Sequence, residues 1–91
     1  MTDAATLLPL LKTDLGITAT SYDTRLTAYI QNAQTEIRRE GITLDDSIGD
    51  NQITIMYAAW TWRKRTTGEG MPRMLRYALN NRLFSEKASG A

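Results

Sequence analysis

The sequence predicts an all-α fold, a compact bundle of four helices, on three observations. Apolar residues recur at helical spacing in the long segments, as Leu26, Tyr29, Ile30, Ala33 and Ile37 do. No segment alternates polar and apolar residues at period two for long, and there is no internal repeat. Glycine and proline fall where helices end and begin, at Gly16, Gly41, Gly68, Gly70 and Pro72. The chain of 91 residues makes one domain, read as residues 1–84. Residues 85–91 are small and polar and are expected to form a disordered tail in isolation.

The first helix is placed at about residues 6–15. Proline is tolerated in a first turn but costs a hydrogen bond further in, so Thr6 is read as the N-cap ahead of Pro9, with a preceding turn at Asp3–Ala5 left open. Leu8, Leu11 and Leu15 then share one face, and Gly16 stops the helix. The second helix, about 21–40, is capped by Thr20 or Ser21. It repeats Tyr22, Leu26, Tyr29, Ile30, Ala33 and Ile37 on one side and ends at Arg38, Arg39 and Gly41. A connector follows, in which Ile42, Leu44 and Ile48 are expected to tuck against the core.

The third helix, about 50–66, is capped by Ser47 or Asp50. At 100° per residue, Ile53, Met56, Tyr57 and Trp60 share one face. Ile55, Ala59 and Trp62 lie nearly opposite, and Arg63, Lys64 and Arg65 close the helix. The fourth helix, about 71–84, opens on Met71 and Pro72. Leu75, Ala78 and Leu79 form its core face, with the stem of Arg82 alongside; Arg73, Tyr77 and Phe84 lie opposite. The expected core is therefore Leu11, Leu15, Leu26, Tyr29, Ile30, Ala33, Ile37, Ile53, Met56, Tyr57, Trp60, Leu75, Ala78 and Leu79.

Composition argues against catalysis. The chain has no cysteine and no histidine, so it lacks disulfides, thiolate metal sites, the commonest general base and the commonest zinc ligand. Asp45, Asp46 and Asp50 form the one carboxylate cluster, but without the alternating spacing of a calcium loop. They read as a solvated turn that caps the next helix. Gly68-Glu69-Gly70 follows a helix and carries an anion where a phosphate would sit, so it is not a phosphate loop. No enzyme activity, metal or cofactor is expected. The opening residues lack a basic, apolar leader, and the longest apolar cluster, Leu7–Leu11, is far too short to span a bilayer. A soluble intracellular protein with no membrane partner is expected.

The net charge of +1 hides a polarity. Residues 1–50 carry four cations against eight anions, and residues 51–91 carry seven cations against two anions. Either the halves pack and neutralise each other, or they make contact between copies or with an acidic partner. The cationic second half with Trp62 and Tyr77 also admits phosphate contacts, although no helix-turn-helix signature is present. Helix three poses a parallel choice: it is central and buried on both sides, or one side belongs to a neighbour. Aromatic anchors beside arginines are what interfaces enrich. Ile55, Trp62, Arg63, Lys64, Arg65, Arg73, Tyr77 and Phe84 are accordingly the expected subunit or partner interface.

Four stretches together resemble the head–tail connector, adaptor or head-completion, proteins of tailed bacteriophages. They are Leu-Leu-Lys-x-x-Leu-Gly-Ile at Leu10–Ile17, the second helix from Tyr22 to Ile37, Ala-Ala-Trp-Thr-Trp-Arg at Ala58–Arg63, and the helix start at Met71–Leu79. The family often has a longer, proline-bearing lead-in to its last helix, which Gly68-Glu69-Gly70 shortens here. The resemblance implies a non-enzymatic virion protein that forms a ring, usually matched to a twelvefold portal. Such a ring extends the DNA channel at the neck between capsid and tail, retains packaged DNA and offers a docking surface to a tail or stopper protein. DNA passes through without sequence-specific binding, and assembly takes place in the host cytoplasm. In some members a chain terminus inserts into the portal, for which Ser85–Ala91 is the corresponding stretch. The alternative from another class is a small DNA-binding packaging protein, similar to a terminase small subunit. A third is a regulatory helical protein whose basic half binds an acidic partner.

Overall fold

A computed structural model describes residues 1–90, with side chains placed through Ala88. It contains four helices, α1 (Ala4–Leu15), α2 (Asp23–Arg39), α3 (Ile48–Thr67) and α4 (Arg73–Gly90), and no strand among the described residues. Helix α3 is the axis of the bundle. It packs against α1, α2 and α4, whereas α4 packs chiefly on α3. The fully buried side chains Leu7, Leu11, Leu26, Ile30, Ile37, Ile42, Leu75 and Leu79 fill the space around it.

Helix α1 begins earlier than Thr6. Asp3 is the N-cap, its carboxylate accepting from the Thr6 N–H at 2.8 Å, and Pro9 lies inside the helix. An interior proline costs about 3 kcal/mol. A carboxylate cap contributes about 1 kcal/mol, and the first turn, residues 4–7, buries Ala4 and Leu7, together about 2–3 kcal/mol. The gains match the cost, so the longer helix forms. Gln34 of α2, itself buried, donates to the Thr2 carbonyl at 2.7 Å and ties the preceding strand of chain down.

Helix α2 has no side-chain cap; Thr20 contributes only its carbonyl, to the Asp23 N–H at 3.1 Å. It ends at Glu40, and Gly41 turns the chain with φ +103°. The positive φ favours glycine there, and a Cβ would also press on Leu83 Cδ1 at 3.3 Å. Ile42 and Leu44 are buried as expected of the connector, but Ile48 is not. As the first residue of α3 it points outward and is 88% exposed, because Ser47 caps the helix and turns that first position away from the core.

Helix α4 runs past residue 84 to Gly90, so residues 85–90 continue the helix; residue 91 lies outside the described residues. Two contacts favour the extension. Glu86 accepts a hydrogen bond from the Thr43 N–H, and Arg82 and Glu86 lie one turn apart at 3.9 Å.

Candidate interaction surfaces

Both faces of α3 are covered within the subunit, and the two tryptophans exchange the roles expected of them. Trp62 is buried, 7% exposed, and so is Ile55 on the same side. Tyr22 and Tyr29 meet the Trp62 ring edge-on, at centroid distances of 5.7 and 5.3 Å. The Arg65 guanidinium covers one ring face at 3.7 Å. This is the wall between α2 and α3, and it corrects the expectation that Ile55 and Trp62 meet a neighbouring subunit. The reason is that Tyr29 of α2 and Tyr22, just before it, close over Trp62, while Ile55, two turns away, is buried in the core cluster.

Trp60, expected in the core, is only partly buried. Its indole N–H donates to the Glu69 carbonyl at 3.2 Å, Tyr57 packs edge-on at 5.4 Å, and Lys64 sits over the ring at 4.3 Å. Trp60 therefore fastens the α3–α4 loop. Met56, Leu15, Tyr29 and Ala78 are likewise partly buried against the core, while Leu11, Leu26, Ile30, Ala33, Ile37, Ile53, Tyr57, Leu75 and Leu79 are inside it.

Much of the charge asymmetry is consumed within the chain. Arg76 makes a two-pronged contact with Glu40, at 3.1 and 3.2 Å, and Arg63 lies 3.7 Å from Asp14. Arg82 donates to both carboxylate oxygens of Asp50, at 2.7 and 3.2 Å, and to the Thr43 carbonyl at 2.7 Å. Asp50 is buried and also accepts from the Asp45 N–H at 2.8 Å. The acidic cluster is thus split: Asp45 and Asp46 are exposed, and Asp50 is the anchor of a node joining the 42–47 connector, α3 and α4. The hydrogen bond to Asp50 holds the Arg82 guanidinium above its ordinary pKa. Hydrogen bonds from Ser47 lower the Asp45 carboxyl, and those from Thr43 lower Glu86. Sequence reading placed the Arg82 stem beside the core but missed this partner, which is 32 residues away.

Three surfaces stay open. Between α2 and α3 lies a groove of about 490 Å³ lined by Ala28, Tyr29, Asn32, Thr61, Lys64 and Arg65. The acidic turn Asp45–Asp46, with Ile48 beside it, occupies the other end of α3. The outer side of α4 exposes Met74, Tyr77 and Phe84 to 71, 56 and 77%, with Arg73 also exposed. Among the described residues no group of three histidine, cysteine, aspartate or glutamate side chains is placed to hold a metal, and no helix is long and apolar enough to cross a membrane.

What this arrangement offers is surface, charged at the ends of α3 and apolar along α4, on a bundle braced by buried aromatics and one ion-pair node. It is that of a small helical assembly protein. The chain belongs to the phage gp6-like head-tail connector family, whose model matches residues 6–81, from the first turn of α1 into the middle of α4. No curated protein and no solved structure matches it. As a member of a structural connector family, the chain is a structural component of the virion that assembles with phage head and tail parts.

Proposed function

We propose that this connector forms a ring beneath the portal, extends the DNA channel, retains packaged DNA and presents a docking surface to the tail or a stopper protein. The observation that carries the reading is the opposite sign of the two ends of α3 on a connector-family subunit. Asp45 and Asp46 are exposed at its start, and Lys64 and Arg65 are exposed near its end, about 25 Å away at 1.5 Å per residue. A ring needs two different, complementary patches on each subunit. These two ends supply them without help from Ile55 and Trp62.

Arg73, Tyr77 and Phe84, expected at a subunit or portal interface, are the proposed contact with the portal. Lys64 and Arg65 face a neighbouring copy in this arrangement and not the lumen, where cations would hold back moving DNA. Electron micrographs of the purified protein, alone and with portal, test the reading. Rings in either sample support it; a strict monomer at high concentration with no ring on portal would overturn it. The packaging-protein alternative instead requires salt-dependent DNA binding, with affinity falling steeply as salt rises. Three of the second-half arginines are already paired within the chain, which favours the connector.

A further inference from the structure

The exposed residues of α4 have a spacing of their own. Met74, Tyr77, Asn81, Phe84 and Ala88 follow one another at intervals of three and four, and all five are exposed. At 100° per residue they fall within an arc of about 80°, opposite the face that carries Leu75 and Leu79 into the core. Alternating three- and four-residue spacing is the seam by which one helix packs along another. A single exposed apolar residue is ordinary, but three large ones, Met74, Tyr77 and Phe84, on one line over about three turns are not.

The flanks of the seam are unequal. One carries Arg73, Asn80 and Lys87, seven residues apart, and the other carries the small residues Ala78 and Ser85. Glu86 points away from the seam, to Thr43 and Arg82. We propose that the outer face of α4 docks one α-helix of a different protein, a helix whose apolar stripe is bordered by acidic residues.

The simplest occupant, α4 of a second copy, offers this flank no charge complement. Antiparallel pairing would set Arg73 against Lys87 of the other copy, and parallel pairing would set the cations against alanine and serine. No other helix of this chain fits either. The exposed side of α2 is Thr24, Arg25, Gln31, Thr35, Arg38 and Arg39, polar and basic, and that of α1 has Leu10 as its one exposed large hydrophobic. A helix with acidic borders meets the Arg73–Lys87 flank, and the small residues of the other flank let it approach closely. The proposal depends on the connector reading only for the presence of partner proteins in the assembly; the seam and its charge do not depend on it.

The probe is a labelled synthetic helix of four heptads with leucine at the seam positions, made once with glutamate and once with lysine on its flanks. Fluorescence anisotropy with the full chain should show the glutamate version binding about tenfold or more tightly than the lysine version. Phe84→Ser and Tyr77→Ser should each weaken it about tenfold, and the double change Arg73→Ser with Lys87→Ser should erase the preference between the two helices. Equal binding of both helices, no binding of either, or indifference to Phe84→Ser would overturn the proposal. Electron micrographs separate this outcome from the fate of the ring. Rings formed by the unaltered chain but not by Phe84→Ser would make α4 a self-contact, overturning the proposal and leaving the connector reading intact. Retained helix binding by a chain that forms no ring, with or without portal, would support the seam and count against the ring.

Discussion

Helices α3 and α4 are close in length, 20 and 18 residues, and each carries apolar residues on two sides. In α3 both sides are covered within the subunit, one by α2 and the other in part by α1 and α4. In α4 one side is covered and the other is open. The same sequence pattern therefore has two meanings. A two-sided helix in the middle of a small bundle is core; a two-sided helix at its edge is core plus docking surface. What separates them is the number of neighbours, which the helix does not encode in its own residues.

The sharpest way to break this comparison is Trp62→Ala. Removing a buried aromatic that Tyr22, Tyr29 and Arg65 enclose should cost about 3–5 kcal/mol, measured by urea unfolding. A normal unfolding midpoint would return Trp62 to the surface and make α3 the helix with an open side. Next is Arg82→Ala, which leaves the buried Asp50 carboxylate without its cation and frees α4 from the connector. Loss of one partner of a buried pair should cost about 3 kcal/mol. Trp60→Ala should cost less, about 2 kcal/mol, since the ring is partly exposed and loses one hydrogen bond to Glu69. Protease cleavage in the 68–71 loop should accelerate in that variant. Phe84→Ser should leave stability within about 0.5 kcal/mol of the parent, since an exposed side chain has no packing to lose.

The connector node also gives the bundle a pH dependence. Asp3, Asp45 and Glu86 have carboxyl pKa values below their ordinary ones, through hydrogen bonds from Thr6, Ser47 and Thr43 respectively. A lowered folded-state pKa contributes stability that is complete above the unfolded value and is lost as pH falls through the folded one. Thermal midpoints should therefore be level near neutrality and decline below about pH 4. Glu86→Gln should flatten part of that decline. Arg82, shifted upward, stays charged throughout this range and adds nothing to the slope.

Much of the fold is legible in the sequence. Four helices, the core stripe of α2, the Ser47 cap and the glycine stops follow from periodicity and local hydrogen-bond chemistry, and the family resemblance rests on the same anchors. The start of α1 lies two residues before the expected one and the end of α4 six residues beyond it, because each depends on contacts outside the local pattern. The Asp3 cap and burial of Ala4 and Leu7 offset Pro9 at one end, and Glu86 accepts from Thr43 at the other. Of the expected interface residues, Arg73, Tyr77 and Phe84 are on open surface, whereas Ile55 and Trp62 are enclosed. Arg63, Lys64 and Arg65 are exposed but engaged with Asp14, Trp60 and Trp62.

Periodicity at 100° per residue sorts side chains onto faces, and caps and glycines set where those faces start and stop. These are interactions over three or four residues, so a linear reading reaches them. Which face of α3 meets α2, that Trp62 lies under two tyrosines while Trp60 holds a loop, and that Asp50 pairs with Arg82 are matters of helices packing across 30 residues or more. Such contacts are selected by the total burial of the bundle, and that quantity exists only once all four helices are in place.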